Sequence, residues 1–217
     1  MSVILPFADR AEGGRRLAGR LAPLGLEGAV VLALPRGGVP VAREVADRLG
    51  GPLEVLVTRK IGYPPSPELG VGAVAEGGEP VFDHGLLRRL GLVPGDLAGT
   101  VAAERAELDR RVRVYRGGRP LPEVRSRAVV VVDDGLATGG TARAALRAVR
   151  ARGPARLVLA VPVAARSTVG ALAGEADEIV TVAEPESFHA VGQWYGDFDQ
   201  LTDADVLARL GRRKEDV

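Results

Sequence analysis

Five short runs of mostly apolar residues constrain the fold of this chain more than any other feature. The runs are residues 29–34, 53–58, 128–132, 157–163 and 178–183. Most of them lack the strict alternation of apolar and polar residues that marks a strand with one solvated face. We therefore expect both faces of these strands to be covered, which is typical of a parallel sheet.

Helical patterns precede or separate these strands. Asp9 can cap a helix over residues 10–24, and apolar residues recur at helical spacing in residues 39–49, 141–152 and 166–174. The alternation of strands and helices predicts an α/β protein. Its architecture is expected to be a Rossmann-like, mostly parallel five-stranded sheet with helices on both faces.

The pattern changes between the second and third apolar runs. Residues 62–80 are rich in Gly and Pro and predict a long loop, within which residues 71–81 can form a hairpin. Residues 97–116 predict a helix with one apolar stripe. We interpret residues 63–127 as an insertion, with a flexible loop and a helix, on the edge of the core.

This division predicts one domain over residues 1–217. Its core comprises about residues 10–62 and 128–184, and the remaining segment, residues 185–217, holds four of the chain's eight aromatic residues. The length of 217 residues suffices to bury a sizeable core.

Composition excludes several classes of site. The chain has no Cys, which rules out disulfides, thiolate zinc sites, cysteine nucleophiles and iron–sulfur clusters. A net charge of +1 gives no electrostatic case for a general nucleic-acid or membrane-surface binder. The apolar runs are shorter than the roughly 20 residues of a membrane span. Residues 1–7 do not resemble a signal peptide, so a cytoplasmic location is expected.

The strongest chemical signal is residues 129–141, which read VVVVDDGLATGGT. A buried strand delivers Asp133 and Asp134 to its carboxyl end, where ligands bind in open α/β sheets. The following small residues lead into a helix N-terminus, whose backbone N–H groups and dipole favour a phosphate. Two carboxylates suit vicinal hydroxyls, a divalent cation, or both. The alternative is an ordinary strand-to-helix turn with a capping Thr.

Two further strand ends carry cations. Arg36, Gly37 and Gly38 follow the first strand, where two glycines let the backbone approach an anion and Arg36 offers a planar fork to phosphate oxygens. Arg59 and Lys60 end the second strand and can neutralise a negatively charged group. The alternative for each segment is a solvated turn.

The segment at 129–141 resembles the phosphoribosyl-diphosphate-binding loop of type I phosphoribosyltransferases. This resemblance implies that Asp133 and Asp134 hold the ribose hydroxyls and are candidate Mg²⁺ ligands. It also implies that the small-residue loop binds the 5-phosphate. The loop residues assigned to substrate are Gly135, Ala137, Thr138, Gly139, Gly140 and Thr141.

The same resemblance assigns the diphosphate to the other two strand ends. Gly37 and Gly38 match the family's diphosphate-binding loop, in which an unusual cis peptide is common, here expected at Arg36–Gly37 or an adjacent bond. Arg59 is assigned to diphosphate binding, and Arg36 and Lys60 join Asp133 and Asp134 as candidate catalytic residues.

The family also places a variable hood over the site, which residues 185–217 would form. Phe188 or Trp194 can stack there on a base, although packing of these rings onto the core is at least as good an explanation. His84, in the insertion, is interpreted as a surface residue.

The resemblance thus implies an enzyme of nucleotide metabolism. It would transfer a phosphoribosyl group from 5-phosphoribosyl diphosphate (PRPP), with Mg²⁺, to an acceptor such as a nucleobase or related nitrogen heterocycle. One alternative is a non-catalytic protein that senses PRPP and regulates gene expression, but Glu104 and Glu107 lie beside or among the Arg residues of 105–116 and disfavour a nucleic-acid surface. Another is transfer to a non-base acceptor or to water. The sequence does not determine the oligomeric state, but the resemblance allows a homodimer, for which residues 81–116 could serve as the interface.

Overall fold

The computed structural model describes residues 5–212 and contains two sheets. In chain order the strands are β1 (Val30–Ala33), β2 (Leu53–Val55), β3 (Thr58–Tyr63), β4 (Ser66–Ala75), β5 (Val81–Phe82), β6 (Ala128–Val132), β7 (Arg156–Val163) and β8 (Glu178–Ala183). The larger sheet has the order β2-β1-β6-β7-β8, and every neighbouring pair in it is parallel.

The central strands of this sheet are covered on both faces. Val30 to Ala33 and Val129 to Val132 are fully buried, and Val31 pairs with Val130, which pairs in turn with Val158. Because no face of these strands meets solvent, alternation of polar residues is not required, which explains the unbroken valine runs. The prediction of a parallel five-stranded sheet is confirmed.

Helices cover the sheet from both sides. In chain order they are α1 (Arg10–Leu21), α2 (Gly38–Leu49), α3 (His84–Leu90), α4 (Ala98–Arg116), α5 (Gly140–Arg150), α6 (Arg166–Leu172) and α7 (Asp203–Arg209). Apolar side chains of α1 and α2 form one core with Val31 and Val130. Those of α5 and α6 form a second core with Val129 and Val131 on the opposite face. Helix α1 is shorter than predicted, because Pro23 lies in a 3-10 turn over Ala22–Leu24.

The smaller sheet corrects the prediction of a loop over residues 62–80. Strands β3, β4 and β5 form an antiparallel sheet, so most of this segment is extended and paired. Pro64 and Pro65 occupy the turn between β3 and β4, where they displace no ladder hydrogen bond. The apolar half of β4, from Val71, packs inward, while its first half is exposed. The predicted hairpin at 71–81 is present, since Gly72 pairs with Phe82.

Helices α3, α4 and α7 lie in the insertion and the C-terminal segment. Helix α4 matches the predicted helix at 97–116, whereas α3 and α7 were not predicted. Residues 213–217, the end of the predicted hood, lie outside the described residues. No helix within residues 5–212 is long and apolar enough to cross a membrane.

Candidate active site

The loop between β6 and α5 forms an open cradle at the carboxyl edge of the sheet. Gly139 precedes α5 with φ of 74°, a left-handed conformation that favours glycine. No atom lies within 4 Å of the position that a Cβ on Gly140 would take, and Ala137 and Thr138 are exposed. The first turn of α5 therefore presents backbone N–H groups to open space, as an anion site requires.

Thr168 of α6 holds this cradle from behind. Its hydroxyl donates a hydrogen bond to the carbonyl of Ala137, and its methyl group lies 2.7 Å from the position of a Cβ on Gly139. Thr168 is 7% exposed. The sequence analysis missed this residue, because its contact with the loop joins positions 31 apart in the chain.

Asp133 and Asp134 follow β6 as an adjacent pair, and the side chain of Asp134 is only 14% exposed. Burial raises the pKa of Asp133 well above its usual range, and the charge of Asp134 raises it further. Burial also raises the pKa of Asp134, whereas a hydrogen bond from Arg10 opposes this increase. The Nε of Arg10 lies 2.9 Å from Oδ2 of Asp134, and Oδ1 of Asp133 accepts from the backbone N–H of Asp134.

The loop after β1 packs directly against this acidic pair. A Cβ on Gly37 would stand 2.0 Å from Oδ2 of Asp134, and one on Gly38 would stand 2.6 Å from the carbonyl oxygen of Val132. Both positions thus need glycine for close backbone approach. The cis peptide joins Pro35 and Arg36, adjacent to the Arg36–Gly37 bond.

The predicted cations take separate places around the site. The Arg36 guanidinium lies 3.9 Å from the carboxylate of Asp203 in α7. On β3, Arg59 donates at 2.7 Å to Glu104 of α4. Lys60, its neighbour, faces the other side of the strand, as alternation requires.

Lys60 lines a cavity of about 220 Å³ together with the cradle residues Thr138, Gly140 and Thr141. Its Nζ donates at 2.9 Å to the carbonyl of Glu68, and its stem crosses β4 where Gly70 has no side chain. Arg143 of α5 adds a second cation to this cavity. The assignment of Lys60 to the diphosphate stays a prediction; the structure shows its side chain beside the cradle and also in a second cavity with Arg59. Arg143 was not predicted.

Of the aromatic residues in the C-terminal segment, Tyr195 contacts the acidic pair, whereas Phe188 and Trp194 pack against the hydrophobic core. The Tyr195 hydroxyl donates at 2.6 Å to the carbonyl of Asp134. The Phe188 and Trp194 rings are 6.1 Å apart. Trp194 Nε1 is buried and has no hydrogen-bond partner within residues 5–212.

The family of this chain follows from its match to a family model. A family model described as the phosphoribosyl transferase domain matches residues 10–193. The chain belongs to the phosphoribosyl transferase family.

Relatives of known sequence and structure agree with this membership. Two curated proteins of Mycobacterium tuberculosis, from strains CDC 1551 / Oshkosh and ATCC 25618 / H37Rv, each bear the name "Putative phosphoribosyl transferase". Each is 48% identical over 213 residues, which cover 97% of this chain and 47% of the relative. The chain thus spans about half the length of these curated relatives.

A solved structure is similar over nearly the whole length of both chains. The crystal structure of TT1426 from Thermus thermophilus is 48% identical and superposes with a TM-score of 0.80. The match covers 95% of this chain and 98% of that chain.

Gly37→Ala is expected to lower the free energy of unfolding of this chain by about 1–3 kcal/mol, because the new methyl group must displace Asp134 or the loop. Urea denaturation measures the change. Gly19→Ala is the matched control, since Gly19 is an exposed helical residue with no atom near its Cβ position. It is expected to stabilise by about 0.5–1 kcal/mol. Equal stability of the two variants would contradict the close approach at Gly37.

Proposed function

We propose that this chain transfers a phosphoribosyl group from PRPP to an acceptor, with release of diphosphate and with Mg²⁺ bound. The observation that carries the proposal is the meeting of three elements at one sheet edge. The open cradle, the acidic pair and the Gly37–Gly38 loop follow the neighbouring strands β6 and β1. These elements fit the three parts of PRPP. The cradle is a site for the 5-phosphate, the acidic pair accepts from the ribose hydroxyls, and the glycine loop is a second anion site for the diphosphate.

Each part of the substrate has its own group of residues. The 5-phosphate would lie on the cradle, against the N–H groups of Gly139 to Thr141, with Lys60 and Arg143 on the cavity walls. The ribose hydroxyls would donate to Asp133 and Asp134. The diphosphate would lie along Gly37 and Gly38, where the absence of side chains leaves the backbone accessible.

The reaction breaks the bond between the anomeric carbon and the diphosphate oxygen, and the bonding electrons leave with the diphosphate. The anomeric carbon becomes oxocarbenium-like, and a lone pair of the acceptor forms the new bond. The chain's own residues act here by position and charge. The cradle and the acidic pair fix the two ends of the ribose, and Arg36 places positive charge beside the Gly37–Gly38 loop.

The acidic pair offers limited coordination to a metal. One oxygen of Asp134 accepts from Arg10 and one of Asp133 accepts from a backbone N–H, which leaves at most one further oxygen on each. Residues 5–212 contain no cluster of three or more His, Asp or Glu that could cage an ion. This donor set fits Mg²⁺, which keeps waters and substrate oxygens as ligands. Asp133 and Asp134 would hold it, and when bound it supplies charge that stabilises the leaving diphosphate.

The acceptor is expected to bind beneath the C-terminal aromatic residues. The Phe188 and Trp194 rings lie close together, Trp194 directly precedes Tyr195, which contacts Asp134, and the unpartnered Nε1 of Trp194 is a hydrogen-bond donor. A flat nitrogen heterocycle suits an aromatic ring and a donor at its edge. These features support a nucleobase or a related ring as the acceptor.

An assay of diphosphate release tests this function. Purified protein with PRPP and Mg²⁺ is offered a panel of nucleobases and other nitrogen heterocycles, and products are identified by mass. We expect release that depends on one acceptor and a product heavier than that acceptor by one phosphoribosyl group. Release without any acceptor would instead indicate hydrolysis. Binding of PRPP without release would favour a sensor and would refute the proposed transfer.

A further inference from the structure

Arg10 connects the acidic pair with the C-terminal segment of the chain. It is the first residue of α1, and its side chain is 11% exposed. Its Nε donates to Oδ2 of Asp134 at 2.9 Å, and its Nη1 donates to the carbonyl of Asp199 at 3.0 Å. The guanidinium carbon lies 3.7 Å from the centre of the Phe198 ring. The Arg10 guanidinium thus contacts Asp134, which is predicted to bind substrate, and two residues of the C-terminal segment.

Residues 191–199 are here termed the hood segment. They also contact the acidic pair directly, through residues other than Arg10. The Tyr195 hydroxyl donates to the carbonyl of Asp134, and Tyr195 stacks on Phe198 with ring centres 5.1 Å apart. The side chain of Val191 lies 2.6 Å from the position that a Cβ on Gly135 would take. Any movement of Asp134 or Gly135 would therefore displace side chains of the hood segment.

We infer that Arg10 is a positioning residue that orients Asp134 and, through the same guanidinium, holds the hood segment over the acidic pair. Occupation of the acidic pair by PRPP then changes the position of the hood segment. This inference rests on the proposed function only for the identity of the ligand.

The charges and geometry explain why Arg10 suits this role. Asp134 is 14% exposed at its side chain, so an ionised carboxylate there depends on a nearby cation. A guanidinium can bond to the carboxylate and the Asp199 carbonyl at once and still stack on a ring, because its donors lie in one plane. A ribose hydroxyl that donates to Asp134 shares this carboxylate with Arg10. The guanidinium then shifts, and its contacts with Asp199 and Phe198 change.

The hood segment contains its own reporter. Trp194 is the only tryptophan of the chain, so intrinsic tryptophan fluorescence reports this segment alone. The backbone carbonyl of Trp194 accepts from the N–H of Phe7 at 2.8 Å, which places the reporter beside the start of α1. Quenching by acrylamide measures the access of solvent to Trp194 in the free protein. Calorimetry measures the affinity for PRPP with Mg²⁺ in the same samples.

The experiment compares Arg10→Gln with Arg15→Gln. Arg15 lies on the same helix, is 58% exposed at its side chain and pairs at 3.4 Å with Glu44, so its loss removes the same charge without touching the site. For Arg10→Gln we expect at least a twofold rise in the quenching constant of Trp194. We also expect an affinity for PRPP that is at least tenfold weaker. Arg15→Gln is expected to match the wild type in both measurements.

Arg10→Lys separates the two contacts and replaces the first variant if Arg10→Gln does not fold. An ammonium group still pairs with Asp134 but lacks the fork, so we expect most of the affinity to return while Trp194 stays as accessible as in Arg10→Gln. Wild-type quenching in all Arg10 variants would overturn the inference. If the wild type bound no PRPP, the proposed function would fail, and the quenching of the free proteins would still decide whether Arg10 holds the hood segment.

Discussion

Asp133→Asn is expected to weaken PRPP binding about tenfold to hundredfold and, in the same protein, to raise the free energy of unfolding. The binding loss follows from the replacement of a charged acceptor of ribose hydroxyls by a neutral one, since a hydrogen bond to a charged group contributes about 1.5–3 kcal/mol. The gain in stability follows from burial, which makes the ionised form of Asp133 costly in the folded state.

The gain in stability should depend on pH in one direction. Because the pKa of Asp133 is higher in the folded than in the unfolded chain, the folded state holds more protons between these two values. The stability of the wild type therefore falls as pH rises through this interval, and Asn removes the effect. Thermal unfolding of both proteins from pH 4 to pH 7 should show that the variant's advantage in Tm widens with pH.

Asp109→Asn is the control for Asp133→Asn, because Asp109 is exposed on α4. It should leave the affinity for PRPP unchanged. An Asp133→Asn variant with wild-type affinity would show that the acidic pair is not the ribose site. A variant less stable than the wild type at pH 7 would show that its carboxylate is not penalised by burial.

Arg116→Met is expected to lower the free energy of unfolding by about 3–5 kcal/mol, because it leaves buried charge and carbonyl groups unpaired. Arg116 ends α4 and is 1% exposed. It forms an ion pair with Glu76 and donates to the carbonyls of Val55 at 3.0 Å and Arg119 at 2.9 Å. These contacts tie the antiparallel sheet, which carries Lys60, to the parallel sheet. Urea denaturation measures the loss.

Two further variants control the Arg116 result. Arg110→Met removes an exposed cation that pairs with Glu107 on the surface of α4, and it should leave the urea midpoint close to that of the wild type. Arg116→Met combined with Glu76→Leu should lose less stability than Arg116→Met alone, because no carboxylate is then left without its cation. If Arg116→Met alone unfolded at the same urea concentration as the wild type, the structural role of this ion pair would be contradicted.

The parallel sheet could be predicted because its signal is local. Unbroken valine runs identify strands that are covered on both faces, and the helices between them carry their own spacing. The pairing of β3 with β4 in the antiparallel sheet could not be predicted, because Gly62, Pro64, Pro67 and Gly70 mask the extended backbone of these two strands. Their pairing is evident only once Ile61 and Val71 are seen to pack inward.

The candidate site was predictable where one segment carries a complete chemical pattern. The acidic pair, the cradle and Gly37–Gly38 each follow a recognisable strand, and parallel strands bring their carboxyl ends to one edge. The contacts of Arg10 and Tyr195 were not predictable, since they join residues 124 and 61 positions apart. The placement of Lys60 beside the cradle depends on the pairing of β3 with β4, which the sequence pattern did not predict.

Calorimetric titration of the wild type with PRPP, ribose 5-phosphate and diphosphate, each with Mg²⁺, tests the central claim most directly. A site with separate elements for phosphate, ribose and diphosphate should bind PRPP at least tenfold more tightly than either fragment. Equal affinities for PRPP and ribose 5-phosphate would mean that the Gly37–Gly38 loop binds no diphosphate. No binding of PRPP at all would contradict the proposed function.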